Sequence, residues 1–569
     1  MPRGCEGRAA ACRIEPVGES CPLRAQWLAT QTSAPTTAGP VRSAAGRDLP
    51  RAGGNDLLSS GGGTAYCAGM DSFNADGVFW LPEEPDKQLA GRLEFTVETG
   101  ASLSLMGIFG EWGAALTADD DVERHRIVGI AGRKLVTLDH CVRTATILET
   151  PGILRESYSV GLLLLGAQWD EGEALEFDSA MVSFDHLPNW VLKSGFKVTL
   201  DMQKDEHGDE QVVGISALYK PVEEQTVDVG DRKLSLGFNW SLDGDRISTV
   251  RINQQCFIKL EYQSLKSLED LLVDVEAIRH LVTLTADEPA AITELQVSAS
   301  HITDNMEPPR RQWVEVLRSQ SVRRAEVAVS HFKMLYLYDQ IGGLLTVDAW
   351  LRVAESRRAV LDALLSIRYS TTLYVENRYQ NVLLAAETLH RLRGPNAVLS
   401  AEEFKAKRRS IVRAAPKEHR DWLARQLQYS NEPRLKDRLQ DLATFAEQAF
   451  ANLVGDTAKW AAVVAKLRNR LTHHEEDQEF ELAGGDLFFL ANSAYTLVLL
   501  CLLKECGISD DVLATAESNQ RLMFLRQQLA EIVPRLHKQV QRSNQAGSEA
   551  IAEEIEAAQP SNGDGPYPK

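Results

Sequence analysis

The hydrophobic period of this 569-residue chain turns helical after Pro308-Pro309-Arg310-Arg311. Before that point, from Val78 to about Gln263, apolar and polar residues alternate in short runs separated by Gly, Pro and Asp-Gly. Successive side chains of a strand point to opposite faces, so a period of two reads as antiparallel strands with one buried face. Beyond it, apolar residues recur every three or four positions, the spacing of one helix face. No single element satisfies both periods. The chain is therefore expected to be an α+β multidomain protein, with a β-rich antiparallel N-terminal domain followed by an all-α helical bundle.

Strands are expected at Arg92–Val97, Ser102–Ile108, Arg126–Ile130, Lys134–Leu138, Glu176–Phe184, Phe196–Met202, Lys233–Asn239 and Arg246–Ile252. Asp243-Gly244 marks a hairpin between the last two. One helix, Leu265–Leu281, interrupts them. Such a segment implies a β-sandwich or barrel. Helices are expected at Ala325–Ile341, Leu344–Ile367, Thr372–Leu392, Ala401–Ala414, Arg434–Val454, Thr457–Thr472, Asp486–Cys506 and Ala516–Ile532. Gly and Pro between these runs act as stops and starts. The expected boundaries are 70–305 for the β-rich domain and 306–538 for the bundle.

The two ends read differently. Residues 1–69 hold 12 Ala, 11 Gly, 6 Pro and 7 Arg but no Lys or Phe. Such a stretch cannot bury enough surface to offset chain entropy, so it is expected to be a disordered leader or an over-extended start, with Met70 as the initiator. The polar tail 539–569 is expected to be disordered.

A formal charge of −19 argues against a general nucleic-acid binder until it is partitioned. Residues 71–300 carry 19 basic and 40 acidic residues, whereas residues 301–569 carry 35 of each. The acidity belongs to the β-rich part, and the helical part is free to meet RNA. Acidic clusters such as Asp119-Asp120-Asp121 and Asp205-Glu206 read as solvated loops. No apolar run nears the ~20 residues of a membrane span, so no membrane partner is expected. The eight cysteines show no two-residue spacing, which fits reduced thiols in a cytoplasm and gives no zinc site.

Chemistry concentrates at the end of the helix Thr457–Thr472. Its core face is Trp460, Val464, Leu467 and Leu471, and it runs into Arg468-Asn469-Arg470-Leu471-Thr472-His473-His474. Asn469 and His473, four apart, share one face, and Arg468 sits beside it. A histidine, a guanidinium and an amide together offer a proton carrier, a phosphate ligand and an orienting group. Arg470 and His474 are secondary candidates, His474 replacing His473 if the loop turns differently. Glu387 could hold Arg468 in place, or instead pair with Arg391 on its own helix. Lys405, Lys407, Arg408, Arg409 and Arg413 form the strongest basic run, a candidate RNA-backbone contact or a solvated helix face. The run His473–Asp477 invites a metal reading, but neighbours on a helix cannot all face one ion, so no metal or cofactor is expected.

Several blocks resemble a known family. GVFWLPEEPDK at Gly77–Lys87, Gly91-Arg92-Leu93-Glu94-Phe95, GRKLVTLDHC at Gly132–Cys141 and PGILRESYSVGLLLLGAQW at Pro151–Trp169 resemble the N-terminal domain of the ApeA family of bacterial HEPN proteins, linked to anti-phage defence. Arg468-Asn469 followed by His473 resembles the HEPN ribonuclease signature. The resemblance implies a metal-independent endoribonuclease in which the RNA 2′-OH attacks the adjacent phosphate, leaving a 2′,3′-cyclic phosphate and a 5′-OH. It implies that His473 is general acid/base, that Arg468 stabilises the phosphate and that Asn469 orients either. It further implies a homodimer or higher homo-oligomer formed through the bundle, with two motifs meeting across the dimer. A phage protein or ligand would then be sensed by the N-terminal domain. The alternative is a non-catalytic HEPN protein that binds partners or nucleotides.

Overall fold

The computed structural model describes residues 72–110, 123–148, 152, 154–245, 247–304, 306–370, 372–473 and 481–557. The expectations for residues 1–69, for Asp119-Asp120-Asp121 and for residues 558–569 lie outside them.

Strands β1 (Ser72–Trp80), β2 (Leu89–Thr96), β3 (Gly100–Met106), β4 (Glu123–Ala131), β5 (Lys134–Leu148) and β6 (Leu154–Leu165) run in the order β6-β3-β2-β1-β4-β5. Strand β5 pairs back to β6, so all six close into an antiparallel barrel. The alternation in sequence sets which way each side chain points. In β2, Leu93 and Phe95 are buried while Arg92 and Glu94 are exposed. Phe79, Leu103, Leu105, Ile127, Leu138 and Leu163 fill the interior with them. Gly77 lies where β1 meets β4; a Cβ there would stand 2.4 Å from the Ile130 carbonyl oxygen, so no side chain fits.

Beyond β6 the sheet continues through β14 (Val314–Leu317), β13 (Ile292–Ser298), β7 (Glu176–Phe184), β12 (Arg251–Ser267), β11 (Arg232–Asp243) and β10 (Gln225–Val229). Strand β6 serves both parts, pairing with β3 through residues 155–160 and with β14 through 163–165. Strands β8 (Phe196–Lys204) and β9 (Glu210–Tyr219) form a separate ribbon. Its tip is tied by Asp205, whose carboxylate accepts from the backbone N–H of His207 and Asp209 at 2.9 Å each. Helix α1 (Leu187–Val191) is short. Helix α2 (Leu268–Ala286) packs against β7 and β12, its first turn capped by the Ser267 hydroxyl, which accepts from the Asp270 N–H.

The bundle comprises α3 (Leu344–Ser356), α4 (Arg358–Tyr369), α5 (Val375–Arg393), α6 (Ala401–Ala414), α7 (Arg420–Gln426), α8 (Leu435–Phe445), α9 (Glu447–Val454), α10 (Thr457–His473), α11 (Asp486–Glu505), α12 (Asp510–Ala514) and α13 (Gln520–Ala557). Its core is continuous with the open half of the sheet: Phe177, Leu260, Leu281, Trp350, Phe450 and Trp460 belong to one hydrophobic cluster. The Trp350 indole N–H donates to the Ala277 carbonyl of α2 at 2.6 Å, crossing from bundle to sheet layer.

Six expectations need correcting. Residues 325–341 form no α-helix; only the 3₁₀ turn His331–Lys333 occurs there. Met334, Leu335, Tyr336 and Tyr338 are buried, but the N–H groups of Leu335 and Tyr336 bond the Thr285 carbonyl at the end of α2 rather than a carbonyl one turn earlier in their own segment. The boundary at 305/306 falls inside the sheet, because β14 follows the prolines and the bundle begins at Leu344. Leu344–Ile367 and Arg434–Val454 are each two helices, broken at Arg357 and at Glu447, whose φ is +50°. Strand β12 starts at Arg251 rather than Arg246, because Asp245 draws the N–H groups of Ile247, Ser248 and Thr249 into a capped loop; the Ser248 hydroxyl first, and then those N–H groups, hold its carboxyl well below the usual range. Finally, α13 continues through Pro534 to Ala557, so residues 539–557 are helical, with Leu529, Val533, Leu536 and Val540 buried at helical spacing.

Among the described residues one helix, α11, is long and apolar enough to cross a membrane, although no uninterrupted apolar run announces it. Within the bundle 83 % of that window is buried, the signature of a core helix.

Candidate functional site

Helix α10 is fixed before its functional end begins. Trp460, Val463, Val464 and Leu467 are fully buried, with Leu471 packed at the edge of the same core. The Trp460 indole N–H donates to the Ser493 hydroxyl at 2.8 Å, and its ring meets Phe450 edge-on. From α5, the buried Tyr379 hydroxyl donates to the Val464 carbonyl at 2.8 Å. These contacts set the rotation of α10 about its axis, and with it the direction of its polar face.

That face borders an open groove of about 520 Å³. Arg468 and Asn469 line it together with Lys466, and α5 contributes Glu387 and Arg391. The Arg468 guanidinium lies 3.5 Å from the Glu387 carboxylate, a single contact rather than a bidentate pair. Arg391 turns to Glu432, also at 3.5 Å, so the alternative pairing with Glu387 is not the one formed. The opposite wall carries Arg434, Lys436 and Arg438. Arg438 is almost wholly buried; its guanidinium reaches Glu432 at 3.2 Å and the Pro433 carbonyl at 3.1 Å. Burial and then the Arg391 charge lower its pKa. Six basic side chains thus face two carboxylates along the groove. Such a surface attracts a polyanion.

The motif residues occupy different places. Arg468 and Asn469 share the groove, and Thr472 bonds back to the Arg468 carbonyl at 2.8 Å. His473 is the last residue of α10, and its side chain lies outside the described ones, as does the whole of His474. Most of the acidic run after it, which prompted the metal reading, is likewise outside. Arg470 neighbours Asn469 on the helix but does not line the groove.

Lys405, Lys407, Arg408, Arg409 and Arg413 stand elsewhere. They lie on α6, which buries none of its residues and begins with a capping box between Ser400 and Glu403. Its partner is α7, where Arg408 donates to the Ala424 carbonyl at 2.5 Å. None of the five lines the groove beside Arg468.

The groove's own basic wall, Arg434, Lys436 and Arg438, has no signal in the sequence because those residues alternate with acids and apolar residues. Val540 and Asn544 also border the groove, from the part of α13 expected to be disordered. The 3–4 spacing of Leu529, Val533, Leu536 and Val540 was the signal for it. Helix α13 also anchors α11, the next helix after the motif. Arg535 grips the buried Asp486 at the start of α11 through both carboxylate oxygens, at 2.7 and 2.6 Å.

A bundle in which a helix ends on Arg-Asn and, after three more residues, His, set behind a β-rich domain, defines a HEPN-type protein. Two family models match the chain: ApeA N-terminal domain 1 over residues 74–347 and Apea-like HEPN over residues 381–512. The chain belongs to the ApeA-like HEPN family and is a HEPN-type defence protein. No curated protein and no solved structure matches it.

Proposed function

We propose that this protein is an anti-phage endoribonuclease that cuts RNA in the groove beside α10. The observation that carries the reading is Arg468, steadied by Glu387 within a basic groove, on the same helix as Asn469 and His473. RNA enters by its phosphates along Arg434, Lys436 and Lys466. The 2′-OH attacks the adjacent phosphorus, the 5′-oxygen leaves, and the products are a 2′,3′-cyclic phosphate and a 5′-OH. His473 takes or gives the proton, Arg468 balances charge on the pentacoordinate phosphate and Asn469 orients one of them. The second proton carrier comes from the same motif of another copy, so the active species is a dimer. The N-terminal domain restrains the bundle until it meets a phage-derived trigger.

The test is sequencing of RNA ends after induction. Wild type should leave 2′,3′-cyclic phosphates in the presence of EDTA. His473→Ala should lower cleavage by about 10²–10⁴-fold, and Arg468→Ala by about 10²–10³-fold. Equal cleavage in both variants, with folding intact, would defeat the assignment, and strict metal dependence would replace the mechanism.

A further inference from the structure

A second cavity, of about 300 Å³, lies where the end of α2 meets α4, α5, α11 and α13. Three guanidiniums line it: Arg368 from α4, Arg378 from α5 and Arg521 from α13. Arg368 and Arg521 both bond the carboxylate of Asp287, which caps α2 in a left-handed conformation, and Arg521 also meets Glu288 at the rim. Arg378 has no ion pair among the described residues. Burial, and then the like charge of Arg368, lower its pKa, so the two guanidiniums feel each other.

The Tyr495 hydroxyl and the Arg368 guanidinium are both enclosed and turn to each other. Tyr495 lies with its ring 4.3 Å from the Arg368 guanidinium carbon. The remaining wall is aromatic. Phe489 packs edge-on against Phe488 on one side and Phe524 on the other, and Phe488 and Phe524 are each about half exposed. Phenylalanine rings held open to solvent beside arginines favour a flat ring over water.

We propose that this cavity binds a small aromatic anion, a phosphomonoester joined to a flat ring. The lining carries three positive charges against Asp287 and, at the rim, Glu288, so one guanidinium, that of Arg378, is left to meet the phosphate of a phosphomonoester. Its oxygens accept from Arg378, and its ring fills the space between the phenylalanines. The site touches the N-terminal domain through Asp287. Through α5 it also reaches the candidate active helix: Gln380, two residues after Arg378, lies 3.5 Å from the Thr472 hydroxyl, next to His473. Occupancy would be felt on both sides.

Binding is read without any RNA cleavage, so the result is independent of the nuclease proposal. Phenyl phosphate and adenosine monophosphate are added to the full chain, followed by thermal denaturation and calorimetry, with inorganic phosphate and adenosine as controls. The two probes should raise Tm by about 2–4 °C at saturating concentration, and each control should bind at least about tenfold more weakly. Arg378→Gln should weaken probe binding about tenfold or more while leaving the unliganded Tm unchanged or higher, because it removes a like-charge neighbour. Phe524→Ala, at an exposed ring, should weaken the probes but not inorganic phosphate. Absence of a shift with either probe, equal binding by Arg378→Gln, or phosphate binding as tightly as phenyl phosphate would each overturn the site.

Discussion

The barrel and the open half of the sheet are built from one alternating pattern and one hydrogen-bonded sheet, yet they are buried differently. The barrel closes around its own side chains, Phe79, Leu93, Phe95 and Leu103 among them. The open half has no interior of its own; Phe177, Leu260 and the apolar face of α2 pack against Trp350 and the bundle in a common core. The matched N-terminal domain, 74–347, therefore contains one self-sufficient part and one part completed by the helices. Closure, rather than strand content, decides which part stands alone.

The largest expected effect tests that division. Trp350→Ala should cost about 3–5 kcal/mol and lower the melting of the bundle and open sheet together, in one transition. Phe95→Ala should cost a similar amount but detach the barrel's unfolding from the rest, seen as a separate calorimetric peak. A single shared transition in Phe95→Ala would merge the two parts.

Next, Asp287→Asn removes a carboxylate that two arginines of the bundle hold, and should cost about 2–3 kcal/mol, discounted for the partial exposure of Arg521. Chemical denaturation should show the loss in the shared core and leave the barrel's stability unchanged.

A third test uses pH. His280 on α2 packs beside Tyr369 of the bundle, and burial, then the Arg279 charge, press its pKa from 6.5 down to about 3. The unfolded chain takes up this proton below about 6.5 and the folded chain does not, so stability falls as pH drops below 6.5. From pH 6.5 to 5 the loss should be about 2 kcal/mol. It should be absent in His280→Gln, and an unchanged slope in that variant would remove His280 from the junction's pH response.

The smallest effect separates two basic surfaces within the bundle. Lys436→Glu in the groove should weaken RNA binding about five- to tenfold and lower the salt slope by about one. Lys405→Glu on α6 should change it by less than about twofold. Equal losses would bring α6 into the RNA path.

These regions also mark where the sequence could be read. Alternation in Glu176–Phe184 and the apolar stripe Trp460, Val464, Leu467 are local signals, and both elements form as expected. The segment Met334–Tyr338 misled because its apolar density suits a helix, while its burial is dictated by α2 and α1, distant in sequence. Arg468 and Asn469 were legible through their spacing, and Glu387 as the carboxylate that could hold Arg468 in place. The wall formed by Arg434, Lys436 and Arg438 was not, since it exists only once residues 396–433 fold out as an excursion. Asn431 closes that excursion at its base, bonding Leu399 through both side-chain groups at 2.9 Å. The arginines around Asp287 come from three helices and Asp287 itself from the cap of α2, and no local pattern announces such a meeting.

Strand β6 carries one further consequence. Because its two ends hydrogen-bond to the barrel's β3 and to β14 of the open sheet, while β5 runs along its other edge, the barrel has no tether at this seam. Rotating it away would break a ladder rather than bend a linker. Slack in the usual sense, where one module swings on a loop, is absent at this joint. A push on the barrel is transmitted as along a stiff plank, straight into the layer that rests on Trp350.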